Sequence, residues 1–245
     1  MNTDQFIPES LHDKVLDFKT SWQTPSNIAL VKYWGKRDIP LNLPSVPSIS
    51  VTLSQFFTET TVEWGSSKDQ CILNGEESSD AARKVFQFLD RVDADRPYCR
   101  VVSRNNFPTA AGLASSASAF AALALAASSA ADKNLSPREL SLLARQGSGS
   151  AARSIWGGWV QWQKGINSDG SDSYAFPIAP QDHWDIRIIV AVVSDQKKKI
   201  SSRKAMNLSA ETSPFFQAWC DTAEEDIRIA KEAIQNKNLK NYKFL

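Results

Sequence analysis

The sequence predicts an α+β fold on three observations. Strand-like and helix-like segments follow one another without regular alternation, one alanine-rich stretch is long enough for a central helix, and the apolar content supports a sizeable core. With 245 residues, 42% of them apolar and 22% charged, the chain can form one large domain or two smaller ones.

Taken in order, residues 1–20 read as a short amphipathic helix with Leu11, Val15 and Phe18 on one side. Residues 28–34 and 48–53 carry β-branched and alternating apolar residues and read as strands, joined by a proline-bearing loop over 40–47. Residues 58–64 read as another strand. Residues 80–92 open with Asp80 as a possible N-cap and place Ala81, Val85, Phe88 and Leu89 at helical spacing. Residues 98–103 return to strand. Twelve alanines in residues 110–131 give high helix propensity and let neighbouring backbone approach closely. Ser136 as N-cap and Pro137 in the first turn start a helix over 137–146. Strands are predicted over 158–163, 173–178 and 186–193, the last an apolar run suited to burial on both faces. The final helix, 214–234, puts Phe215, Trp219, Ala223, Ile227, Ala230 and Ile234 on one stripe.

Composition narrows the chemistry. Lysine and arginine number 28 against 27 acidic residues, so attraction for an anion must come from local clustering, and nucleic-acid binding gains little support. No apolar run approaches the roughly 18 residues of a membrane span. The first residues lack a basic segment followed by an apolar one, so an unexported, cytoplasmic protein is expected. Cys71, Cys99 and Cys220 are scattered without metal-ligand spacing, and His12 and His183 sit near no acidic or cysteine motif. Disulfide frameworks, zinc sites and histidine triads are therefore set aside.

Three segments carry the candidate chemistry. The small residues from Pro108 to Ser118 stand at the mouth of the alanine-rich helix, where free amides and the positive helix end attract phosphate and Ser115, Ser116 and Ser118 add hydroxyls. An ordinary serine-capped loop fits the same residues equally well, and the GxxxxGK[ST] of a Walker loop is absent. Gly147-Ser-Gly-Ser-Ala-Ala-Arg153 superficially matches a dinucleotide fingerprint. Such a fingerprint needs a preceding strand, and residues 140–146 look helical. What remains is a turn presenting Ser148, Ser150 and Arg153, or blandly a turn with a solvent-facing arginine. In Asn27-Ile-Ala-Leu-Val-Lys-Tyr-Trp-Gly-Lys-Arg37, a strand would put Lys32 and Trp34 on one face, and such a lysine needs an anion. Lys197-Lys-Lys199 is read as a solvated turn, and Trp156, Trp159 and Trp162 as core.

All three segments resemble the mevalonate diphosphate decarboxylase family of the GHMP kinase superfamily, in order and with similar separations. Asn105-Asn-Phe-Pro-Thr-Ala-Ala-Gly-Leu-Ala-Ser-Ser-Ala117 is similar to that family's phosphate loop. Leu73-Asn-Gly-Glu76, Val193-Ser-Asp195 and Ser201-Ser-Arg203 also fit. The resemblance implies a ribosomal S5 domain 2-like domain over 1–183 and an incomplete ferredoxin-like domain over 184–245. It implies a homodimer and a reaction in which ATP phosphorylates the tertiary hydroxyl of mevalonate diphosphate, after which phosphate and carbon dioxide leave to give isopentenyl diphosphate.

Carried onto this sequence, the resemblance makes Lys32, Arg153 and Ser116 catalytic. Tyr33, Trp34, Gly35, Lys36 and Arg83 line the substrate together with Ser148, Gly149, Ser150, Ala151, Ala152 and Arg153, and Ser201 and Ser202 close over it. Asn27, Asn105, Gly112, Ser115 and Ser116 take the nucleotide, and Ser116 also meets magnesium. The family's Asp-Ala-Gly-Pro-Asn segment, whose aspartate activates the tertiary hydroxyl, does not occur in these residues. A trimmed chain with intact binding strings is the expected explanation, ahead of a natural truncation that keeps only binding and a divergent enzyme with another base, and part of 186–193 should then be exposed and favour association. A kinase that does not decarboxylate and a non-catalytic binding protein are the competing functions.

Overall fold

A computed structural model describes residues 14–16, 19–108, 114–191 and 200–238. The chain opens with β1 (Lys14–Leu16), β2 (Lys19–Val31), β3 (Lys36–Asp38), β4 (Leu43–Pro44) and β5 (Ser48–Trp64). Next come β6 (Gln70–Leu73), β7 (Glu76–Glu77), α1 (Ser79–Val92), β8 (Cys99–Asn105), α2 (Ser115–Ala130) and α3 (Pro137–Gly147). A 3-10 turn at Gly149–Arg153 leads into β9 (Trp159–Trp162), β10 (Ala175–Ala179), α4 (Ser202–Thr212) and α5 (Phe216–Gln235).

Strand β5 organises the sheet, whose order is β1-β2-β5-β8-β6-β7, and among the described strands only the β6–β8 pairing is parallel. One edge of β5 pairs with β2 along most of its length. The other edge is shared: residues 48–51 pair with β9 and residues 58–64 with β8. The sheet therefore forks opposite the middle of β5, and the ends of β8 and β9 open beside one another. A register shift interrupts the ladder opposite Ser26, where the pairing passes from Pro25–Phe57 to Asn27–Thr52, so that residues 53–56 bulge out of β5. A bulge of this kind re-aims the side chains beside it.

Helices cover both faces. On one, α2 lies on β2 and β5 with Ala121, Ala124 and Ala127 fully buried, so its small side chains do bring backbone close. The same core holds Val62, Leu89, Val101 and Trp162. On the other face, Ile227, Ala230 and Ile234 of α5 pack on Val31, Ile49 and Trp159. The predicted cap of α3 is present as a full capping box, with Ser136 and Glu139 bonding reciprocally. Trp156, Trp159 and Trp162 are buried as expected.

Several expectations fail, each for a physical reason. Residues 14–16 are strand, paired antiparallel with 19–21, because the open edge of β2 satisfies backbone groups that a short isolated helix would leave to water. Leu11 and Phe18 lie outside the described residues. The two strands predicted at 48–53 and 58–64 are one, since β2 pairs with both on either side of a bulge at residues 53–56. Strand β2 ends at Val31, so Lys32 and Trp34 do not share a strand face. Residues 186–191 form no strand, because no described segment offers them a ladder partner. Ile188, Ile189 and Val190 are nevertheless exposed, as expected, Ile189 at 94%, while Ile186 packs against the core beneath α5. Helix α1 is capped by Ser78, which accepts from the Ala81 amide, rather than by Asp80. Phe215 falls off the stripe of α5 and is exposed. Residues 110–113 and 192–199, with Gly112 and the lysine run among them, lie outside the described residues.

Candidate functional site

The site is built around the turn that follows α3. At Gly147 a Cβ would come within 2.1 Å of the Phe120 ring, and at Gly149 within 2.7 Å of the Tyr33 hydroxyl. Glycine at these positions lets α2 and the segment after β2 close directly on the turn. Tyr33 then lies edge-on to Trp162, 4.8 Å between ring centroids. The Tyr33 hydroxyl is buried and has no hydrogen-bond partner among the described residues. Burial holds it well above the usual phenol range, with Arg153 and Arg203 acting to lower it.

Arg153 is 2% exposed, which excludes the solvent-facing reading. Its guanidinium donates to Ser50 Oγ at 3.0 Å, Ser48 Oγ at 2.5 Å and Asn27 Oδ1 at 3.1 Å. Asn27, buried beside the register shift, also donates through its amide nitrogen to Ser154 Oγ at 2.8 Å and the Ser150 carbonyl at 3.3 Å. None of these partners is charged, and burial pushes the guanidinium down to about 10.

A line of hydroxyls runs from α2 across the turn. Ser116 Oγ is 3.3 Å from Ser148 Oγ, which is 3.5 Å from Ser150 Oγ. On the far side of α2, Thr58 donates to Asn105 Oδ1 at 2.6 Å and lies 2.6 Å from Ser118 Oγ. This buried link ties Asn105, at the end of β8, to the first turn of α2 that also carries Ser115 and Ser116.

Three further cations flank the turn. Lys36 donates to Asn42 Oδ1 at 2.5 Å, and burial followed by the Arg203 charge pushes its ammonium down to about 8. Arg203, in the first turn of α4, donates to the Gly147 carbonyl at 3.3 Å. Lys32 reaches solvent and donates to the Ala29 carbonyl at 2.7 Å. Partial desolvation, then Arg153, hold Lys32 below the ordinary lysine range.

Ser201 serves as the N-cap of α4, accepting from the Lys204 amide at 3.3 Å, and Ser202 follows as an exposed first helical residue. Arg83 projects from the exposed side of α1, and no described contact joins it to the turn. A cavity of about 370 Å³ lies along α4, lined by Ser201, Arg203, Lys204, Asn207, Leu208 and Glu211.

Lys32, Lys36, Arg153 and Arg203 thus gather around one turn, and none of them is ion-paired to a carboxylate among the described residues. No three or more His, Cys, Asp or Glu among those residues are grouped to hold a metal. Such a site repels itself when empty and favours an anion. Arg203, whose string was matched without a role, and Ser48 and Ser50, read only as strand residues, complete what the sequence reading assembled.

A family model for the diphosphomevalonate decarboxylase-like N-terminal domain matches residues 24–175, and one for the mevalonate 5-diphosphate decarboxylase C-terminal domain matches residues 188–244. The chain belongs to the diphosphomevalonate decarboxylase family. It is 42% identical to the diphosphomevalonate decarboxylase mvd1 of Aspergillus fumigatus, covering 92% of this chain and 61% of the relative. The Saccharomyces cerevisiae diphosphomevalonate decarboxylase is 39% identical over 92% of this chain and 62% of its own length. The chain therefore spans less than two thirds of these decarboxylases. Its fold is the α+β GHMP kinase fold of the solved members. The mevalonate diphosphate decarboxylase of Staphylococcus aureus superposes with a TM-score of 0.81 at 43% identity, covering 91% of this chain and 69% of that one. A structure of MDDEF in complex with MVAPP, AMPPCP and magnesium superposes at 0.77 with 40% identity, covering 90% and 69%.

Proposed function

We propose that this chain carries the anion-binding site of an ATP-dependent mevalonate diphosphate decarboxylase. The observation that carries the reading is the group of four cations around the serine-arginine turn with no carboxylate among the described residues to neutralise them. The bound molecules of the MDDEF complex, MVAPP and AMPPCP, support an acidic diphosphate and a nucleotide as the occupants.

Arg153, already oriented by three side-chain oxygens, holds the substrate carboxylate, and Lys36 and Arg203 hold its diphosphate. The Tyr33 hydroxyl, buried without a partner, takes a polar group of the same ligand. Ser148 and Ser150 supply further donors, while Trp34 and Gly35 shape the wall and Lys32 adds positive charge at the rim. On the nucleotide side, the amides at the start of α2 with Ser115, Ser116 and Asn105 face the phosphates.

The described residues offer no carboxylate cage, which suits a magnesium that arrives on nucleotide phosphates and takes one hydroxyl ligand, here Ser116. When bound it supplies charge neutralisation for phosphoryl transfer. Positioning and charge neutralisation are what this reaction demands of the protein. The tertiary hydroxyl takes the γ-phosphoryl group; its C–O bond then breaks as the carboxylate carbon leaves, yielding isopentenyl diphosphate, carbon dioxide, phosphate and ADP. As the bond to the carboxylate breaks, its electron pair forms the new double bond.

The proposal includes a division at residues 183 and 184, supported by the two matched segments. It also includes a homodimer, supported by the uncovered side chains of Ile188, Ile189 and Val190. A cytoplasmic site of action is supported by three free thiols and by the absence, among described residues, of a helix long and apolar enough to cross a membrane.

The test incubates the chain with ATP, magnesium and carboxyl-labelled mevalonate diphosphate, and counts carbon dioxide and ADP separately. Equal amounts support the decarboxylase, and ADP alone indicates a kinase. Binding of mevalonate diphosphate with neither product indicates a holding role, and loss of binding as well sinks the proposal.

A further inference from the structure

Asn42 joins Lys36 to the end of α3. It is 3% exposed and sits between β3 and β4 in a left-handed conformation with φ 53°, which asparagine tolerates better than most side chains. Its amide nitrogen donates to two backbone carbonyls, Arg145 O at 3.1 Å and Gln146 O at 2.8 Å. Carbonyls only accept, so the amide cannot be reversed, and its oxygen is held facing the Lys36 ammonium 2.5 Å away. An ammonium has three donors, and this contact engages one of them.

Among the described residues, the other groups around Lys36 leave its charge uncompensated. Arg203 approaches from α4 and is itself cationic. Asp38, two residues along β3, turns its carboxylate to the Leu41 amide at 2.7 Å. The Arg37 guanidinium points to the Asn167 carbonyl, and that of Arg145 to Gly170 and Ser173. Phe216 of α5 closes over Gly35 with an apolar ring. An uncharged acceptor at position 42 therefore fixes where the ammonium sits without neutralising it.

We infer that Asn42 is a positioning residue of the anion site: it holds Lys36 on a neutral acceptor against the end of α3, so that a full positive charge meets the diphosphate of the ligand. The inference rests on the reading of the site given above.

A double-mutant cycle with inorganic diphosphate as the probe tests it. Asn42→Gly removes the amide while tolerating the left-handed backbone, and is expected to weaken diphosphate binding about tenfold, the loss of one oriented charged contact. In a Lys36→Met background, Asn42→Gly is expected to cost nothing further, because its effect passes through Lys36. Asn42→Asp supplies a second readout that holds if the glycine variant does not fold. The Lys36 ε-carbon signal, assigned by its loss in Lys36→Arg, should titrate at least about one pH unit higher than in the wild type, with diphosphate bound more weakly although the lysine is more fully protonated. Additive losses in the cycle, or an Asn42→Asp chain that binds diphosphate as the wild type does, overturn the role of Asn42. Failure of the wild-type chain to bind inorganic diphosphate sinks the reading of the whole site, and this inference with it.

Discussion

Two arginines, eight residues apart, are buried to the same extent and do different things. Arg145 and Arg153 are each 2% exposed, and burial pushes both guanidinium groups down to about 10. Arg145 donates to the carbonyls of Gly170 and Ser173, both at 2.7 Å, and Asp172, Asp169 and Asp38 offset part of its charge from a distance. Backbone carbonyls cannot leave or rotate, so this arginine is a clamp on the loop between β9 and β10. Arg153 is held by two serine hydroxyls and an asparagine amide, and only Tyr33 acts to favour its charge. Partners that can reorient, together with a charge that lacks an anion among the described residues, mark Arg153 as the proposed binding arginine and Arg145 as a structural one. Burial alone does not.

The largest way to break this comparison is Arg153→Met. The variant should bind mevalonate diphosphate at least about 100-fold more weakly, since a charge-assisted contact is worth about 3 kcal/mol. Its unfolding free energy should change by less than about 1 kcal/mol, because an uncompensated buried charge leaves with the contacts. Calorimetric titration and urea unfolding check the two halves, and a large stability loss with intact binding would reverse the assignment.

Arg145→Met should show the opposite pattern. Two buried carbonyls lose their donor, so stability falls by about 2–3 kcal/mol in urea, while the folded fraction binds mevalonate diphosphate within about threefold of the wild type. A loss of affinity beyond that would mean that the clamp reaches into the site.

A third test moves from the arginines to the wall opposite them. Gly35 has a φ of 85°, and a Cβ there would come within 2.4 Å of the Phe216 ring. Gly35→Ala should cost about 1–3 kcal/mol of stability, combining backbone strain with the clash. Adding Phe216→Ala should recover the clash and leave the strain. If the second change recovers nothing, α5 does not press on this loop.

How much of this was legible depends on whether a residue's neighbours in sequence decide its surroundings. Ser136 and Pro137 announced α3 because a cap is a local event, and the alanines of α2 announced a buried helix by composition. Arg153 was picked out by its glycine-serine string, but its partners Ser48 and Ser50 come from a strand a hundred residues earlier, and no local pattern marks a serine as inward-facing. The β6–β7 hairpin was overlooked despite the Asn74-Gly75 pair, which takes the two positive φ values such a turn needs. Helix α4 was missed because Met206 is its one buried residue, so no stripe forms. The apolar run at 186–191 reads as a strand in any local scheme, and whether it becomes one depends on a partner outside itself.

The smallest test uses pH to separate Lys36 from the arginines. Its ammonium lies at about 8 in the folded chain, against about 10.4 for an unperturbed lysine. Between those values the unfolded chain binds the proton that the folded chain has lost, so this group makes stability rise with pH across the window. An anion binds the protonated form, so affinity should fall across the same window, by several-fold. Cys71, Cys99 and Cys220 are all raised by burial and pull stability the other way above about pH 9, so the lysine contribution is read as the difference between wild type and Lys36→Met. Both arginines stay protonated until about pH 10. A fall in affinity that begins near pH 8 in the wild type and is absent in Lys36→Met therefore assigns it to the ammonium. Affinity that stays level to about pH 9.5 takes the diphosphate away from Lys36 and leaves it to Arg203.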